Sequence, residues 1–108
     1  MATATDVIAS LKQAADAASN AYDAAVAANP DGDFKALHKA KMAAADAAAA
    51  AIGKALTGDP AVTAAQKNLD AATADLNSKL ATLKDLATWL GLLNNLVSLA
   101  TTLSRFLA

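Results

Sequence analysis

Apolar residues recur along this chain at helical spacings, and nowhere with the period of two that marks a half-buried strand. From residue 5 to 28, Ile8, Leu11, Ala15, Ala18, Tyr22 and Ala25 fall three and four residues apart, with Lys12, Asp16, Asn20 and Asp23 on the opposite face. A second stretch, 34–56, turns Phe34, Leu37, Ala45, Ala48, Ile52 and Leu56 the same way. Between them stands Asn29-Pro30-Asp31-Gly32-Asp33, where Pro and Gly stop one helix and Asp33 is suited to cap the next. Thr57-Gly58-Asp59-Pro60 makes a second break. Gly58 suits the position just past a helix, Asp59 an N-cap and Pro60 the first helical residue. Two helices of roughly 35 Å joined by a short loop predict an antiparallel hairpin.

Beyond Pro60 the pattern changes to heptads. Val62, Leu69, Leu76, Leu83, Leu90 and Val97 form one row; Ala65, Ala72, Lys79, Leu86, Leu93, Ala100 and Leu107 form the other. The unbroken phase favours a single helix over 60–107. Length opposes it, because a helix of about 48 residues spans roughly 70 Å, twice the reach of the hairpin. A fold-back at Asn77-Ser78, at Asp85 or between Gly91 and Asn95 would give four helices of similar length. The fold class expected is therefore all-α. It is an antiparallel up-and-down bundle with Ala-rich helices at about 5–28 and 34–56, and a Leu-rich segment at about 60–107 that is one helix or two. The whole chain, 1–108, reads as one domain.

Composition sharpens this picture. Ala fills 33 of 108 positions, Leu 15, and the aromatics are Tyr22, Phe34, Trp89 and Phe106. Ala is the best helix former, whereas strand-forming residues are too sparse for a sheet. Only three Leu precede residue 60, so the first two helices bury chiefly methyl groups, worth on the order of 0.8 kcal/mol each. The Leu-rich end must supply most of the core. A net charge of −1 creates no field to attract nucleic acid and does little to oppose self-association. All ten acidic residues are Asp, a bias without an evident physical reason. With no Cys there is no disulfide or thiolate chemistry. No basic stretch followed by an apolar run opens the chain, so the default location is cytoplasmic, with signal-less export left open.

Candidate chemistry is thin. Lys35, His38, Lys39 and Lys41 gather near the start of the second helix, where the helix dipole favours an anion. The competing reading is a solvated face balanced by Asp31 and Asp33. One His and no Glu cannot build the paired Glu-x-x-His ligands of di-iron bundles, and no Ser lies in a nucleophile elbow. Neither an enzymatic activity nor a cofactor is expected. Trp89-Leu90-Gly91 resembles the Trp-x-Gly turn of small secreted helical hairpins, but there it lies mid-chain, and here it follows both breaks.

The most informative segment is 86–104, nineteen residues without a charge, long enough to cross a bilayer. Thr88, Gly91, Asn95, Ser98, Thr102 and Arg105 nevertheless trace a polar stripe along it, which argues against a transmembrane span. The stripe is narrow, so the apolar face covers more than half of the circumference and demands neighbours on nearly every side. The reading drawn is a non-enzymatic structural or interaction module. It self-associates, or binds another helical protein, through Trp89, Leu92, Leu96, Leu99, Leu103 and Phe106. A lipid- or hydrophobic-ligand-binding bundle using the same helix, with peripheral lipid contact, is the alternative.

Overall fold

The computed structural model describes residues 3–57 and 60–108. Four helices follow one another: α1 (Ala4–Ala28), α2 (Lys35–Ala51), α3 (Val62–Ser78) and α4 (Leu86–Ser104). The all-α bundle expected from the sequence is the fold observed.

Helices α1, α2 and α4 start or stop for identifiable reasons. At the head of α1 the Asp6 N–H donates to Thr3 Oγ1 (3.1 Å) and the Thr3 N–H donates to Asp6 Oδ2 (3.2 Å). That is a capping box with Asp in place of the commoner Glu. At its far end Asn29 donates its backbone N–H to Ala25 and Val26, and its side-chain amide to the carbonyls of Ala25 and Lys84 (2.6 Å). Asn29 thereby ends α1 and ties it to the distant α3–α4 turn. Gly32 is needed in the following loop for close approach: a Cβ there would lie 2.5 Å from Leu86 Cδ1 and 3.2 Å from the Asn29 carbonyl oxygen.

Helix α2 ends five residues earlier than its apolar spacing predicts. Ile52 turns to extended backbone and Gly53 takes a left-handed conformation, φ 83°, which only Gly adopts without strain. Ile52 is consequently 63% exposed rather than inward, Ala45 is also exposed, and Phe34 and Leu56 are half-buried. The connector after Gly53 is held by a short antiparallel pairing of Leu56 with Leu107. Ala55 and Ala108 exchange backbone hydrogen bonds, and the Thr57 N–H donates to Phe106 O. The expected roles of Gly58 and Asp59 lie outside the described residues.

Of the two arrangements open for 60–107, one helix or two, the fold has two, with the break between Asn77-Ser78 and Asp85. Residues 79–85 form a turn, with the Thr82 and Leu83 N–H groups both donating to Lys79 O. Asp85 then caps α4, accepting from the Thr88 N–H (3.2 Å) and hydroxyl (2.7 Å). The buried row changes across this turn. Helix α3 buries Val62, Leu69 and Leu76 from the first heptad row. Helix α4 buries Leu93 and Ala100 from the second, with Trp89, Leu96 and Leu103 between them; Leu90 and Val97 are only half-buried. In α1 the most deeply buried positions are Val7, Leu11, Ala14, Ala18, Ala21 and Ala25, with Ile8, Ala15 and Tyr22 at the margin. The centre of that face is one position off the expected stripe, because α1 packs on three neighbours rather than one.

Helices α1 and α4 touch all other helices, whereas α2 and α3 do not meet. The inner diagonal is thus α1–α4, with α2 and α3 on opposite flanks. Gln66 Nε2 donates to Ser10 Oγ (3.1 Å), joining the beginnings of α3 and α1. The pairing of residues 55–57 with 106–108 joins the ends of α2 and α4. Each hairpin is therefore antiparallel inside, and the two hairpins lie side by side with α1 parallel to α3 and α2 parallel to α4. The bundle measures 46 × 21 × 16 Å. Its largest fully buried side chains are Trp89, Leu93, Leu96 and Leu103 from α4, Leu69 and Leu76 from α3, and Val7 and Leu11 from α1; α2 supplies none.

Candidate functional site

The residues expected to form a binding face on α4 divide into two groups. Trp89, Leu96 and Leu103 are fully buried within the chain's own core, and the Trp89 indole N–H donates to Leu83 O (3.1 Å). Leu92, Leu99 and Phe106 are half-buried and pack against that core. Three helices touch α4, and its large apolar residues are buried or half-buried against them. Outward it presents Ala87, Thr88, Gly91, Asn94, Asn95, Ser98, Thr101 and Thr102. Thr102 also turns its hydroxyl back to Ser98 O (3.0 Å). With a mean hydropathy of 1.3, α4 is long and apolar enough to cross a membrane by length and composition, but the side it offers to its surroundings is small and polar. Trp89 and Gly91 lie within α4 and not in a turn.

The basic cluster at the start of α2 is also laid out differently from an anion site. Asp33 Oδ1 accepts the Lys35 N–H (3.1 Å), so the chain's own carboxylate already meets the positive end of the helix. His38 is exposed and stacks edge-on against Tyr22 at 5.8 Å, Phe34 meets the same ring at 6.2 Å, and Lys41 lies 4.7 Å over its centroid. These contacts close the upper end of the α1–α2 seam, an aromatic clasp with a cation–π contact. Among the described residues no three His or Asp side chains converge in a way that could hold a metal. At the loop end, Asn29, Pro30, Asp31, Gly32 and Leu86 surround an open hollow of about 280 Å³.

A feature that the sequence reading did not single out lies on the outer flank of α1 and α2. A shallow groove of about 290 Å³ runs between them, lined by Lys12, Ala15, Asp16, Ala45, Ala48, Ala49 and Ile52. Ile52, at its lower end, and Met42, at 43% exposure on the adjoining face of α2, are the exposed large hydrophobic residues among those described. Ala side chains leave the groove floor low and smooth, so another helix can approach closely. The groove contains one ammonium and one carboxylate, Lys12 and Asp16, one turn apart on α1. It offers shape and apolar contact but few polar groups to orient a small substrate. Away from the groove, the acidity of exposed Asp85 is perturbed. Its carboxyl is held below the usual range chiefly by the Thr88 hydroxyl, then by the Thr88 N–H.

No family model, curated protein or solved structure matches this chain.

Proposed function

We propose that this chain is a non-enzymatic helical module whose work is self-association, and that the contact surface is the outer flank of α1 and α2. The observation that carries the reading is the pair of large apolar side chains, Ile52 and Met42, left in solvent beside an alanine-lined groove. The Leu side chains of the described chain, including those of Leu-rich α4, are drawn into or against the core. A net charge of −1 offers little repulsion between copies. The outward face of α4 does not suit a lipid bilayer, because interfacial lipid-binding helices line their polar face with Lys and Arg, and that face is chiefly Thr, Asn and Ser.

Sedimentation velocity from micromolar to millimolar chain tests this reading, paired with co-sedimentation on anionic phospholipid vesicles. The expected result is a rise in sedimentation coefficient with concentration and no vesicle binding. A chain that stays monomeric throughout, or one that partitions onto vesicles while monomeric, would contradict it.

A further inference from the structure

The outer face of α2 carries a pattern that says how a second copy would sit. Lys35, Lys39, Met42, Asp46 and Ala49 are all exposed, and their spacing of three and four residues places them in one row along the helix. The sign of the charge changes at Met42. His38 and Lys39 lie about one turn before it, and Asp46 lies one turn after it. Asp16, on α1 beside Ala45, adds to the acidic side, and Lys12, one turn away in the same groove, offsets it, so the sign change rests on Asp46 and Lys39 of the α2 row itself. Asp23, exposed on α1 near the aromatic clasp, offsets part of the basic side, while Lys41 is already held over the Tyr22 ring.

We infer that the flank pairs with a second copy of this chain, α2 against α2 and antiparallel, about a two-fold axis passing beside Met42. This rests on the self-association proposed above and adds its geometry. Under such an axis, residue 42 + n of one copy faces residue 42 − n of the other. Asp46 then meets His38 and Lys39 across the seam in both halves of the dimer. A parallel arrangement would instead set Lys39 against Lys39 and Asp46 against Asp46. Opposed like charges cost enough to reject it, so the row specifies orientation as well as contact. On the axis the two Met42 side chains, flexible and polarisable, pack on each other, and Ala45 and Ala49 let the helices approach closely. Ile52 lies about 15 Å along the helix from the axis, level with the other copy's 29–33 loop.

The chain has no Cys, which makes the geometry directly readable. Met42→Cys places one thiol beside the axis, whereas Thr101→Cys on exposed α4 and Asn68→Cys on exposed α3 place it on other faces. Under mild oxidant at equal concentration, Met42→Cys should form disulfide dimer at least about tenfold faster than either control. A second arm uses charge. Asp46→Lys should weaken self-association about tenfold, and the double swap Lys39→Asp with Asp46→Lys should restore it. All five positions are exposed, and a far-UV dichroism spectrum checks that each variant stays folded. A wild type that associates while the Met42→Cys thiol pairs no faster than the controls, or while the charge swap fails to rescue, overturns this geometry and leaves self-association standing. A wild type that remains monomeric overturns both.

Discussion

Replacing Trp89 by Ala tests whether α4 organises the bundle. Trp89 has no exposed surface and is the largest side chain in the core, and its indole N–H satisfies the Leu83 carbonyl at the end of the α3–α4 turn. Trp→Ala truncation in a core removes about 3–5 kcal/mol through lost transfer energy and the cavity left behind. The stranded Leu83 carbonyl adds about 1 kcal/mol, for a total of about 4–6 kcal/mol. A domain of this size holds only about 5–15 kcal/mol, so the variant is expected to sit near the edge of folding at room temperature. Trp89→Phe keeps most of the apolar volume and loses the hydrogen bond, so its expected loss is about 1–2 kcal/mol. Leu99→Ala, on the same helix but half-buried, should lose less than Trp89→Ala, about 1–2 kcal/mol. Because Trp89 is the sole tryptophan, urea unfolding is best followed by far-UV dichroism. If Trp89→Ala is no more destabilising than Leu99→Ala, the tryptophan is not the centre of the core and the packing argument fails.

Other outcomes follow from the same structure. Gly53→Ala forces a Cβ into the left-handed region at φ 83°, where no neighbour crowds it, so a purely backbone loss of about 1–2 kcal/mol is expected in chemical denaturation. Ala44→Leu pushes three extra carbons into a fully buried position on α2 and should cost about 1–3 kcal/mol, whereas Ala45→Leu, one residue on and exposed, should be near neutral. Asp85 has a folded pKa below its unfolded one, so its cap stabilises α4 above the ordinary aspartate value of about 3.9 and is lost as pH falls through the lower folded value. The stability gap between wild type and Asp85→Ala should therefore narrow in that acidic window, and a gap constant with pH would refute the charged cap.

Much of the fold was legible because helix-stopping residues are plain where they occur. Asn29-Pro30-Asp31-Gly32 ends α1 as written. The α3–α4 turn was not legible in the heptads for a geometric reason. It is seven residues long, 79–85, so it interrupts the helix while leaving the sequence phase intact. Asp85-x-x-Thr88 was the available signal, a cap at the head of the next helix. Gly53 was passed over because Ile52 and Leu56 kept the apolar spacing going past it. In α1 and α2 so many positions are Ala that the few larger side chains set the apparent stripe, and the buried centre is shifted from it. Where the apolar side chains of α4 go was not legible for a related reason. Hydrophobicity counted on α4 by itself looks surplus, but a helix on the inner diagonal touches every other helix, so Trp89, Leu93, Leu96, Ala100 and Leu103 are buried while Leu86, Leu90, Leu92, Val97 and Leu99 are half-buried against the core. Among the described residues, the large apolar side chains that stay outside are Met42 and Ile52, the latter just past the end of α2, where Gly53 turns the chain.

The contact proposed between copies uses α1 and α2, with α4 in the core. Hydrogen exchange of the wild-type chain, measured peptide by peptide at low and at high concentration, tests it most directly. Raising the concentration is expected to slow exchange across residues 38–52 and 12–23, with 86–104 well protected and unchanged. Added protection confined to 86–104, with none on α2, would contradict it.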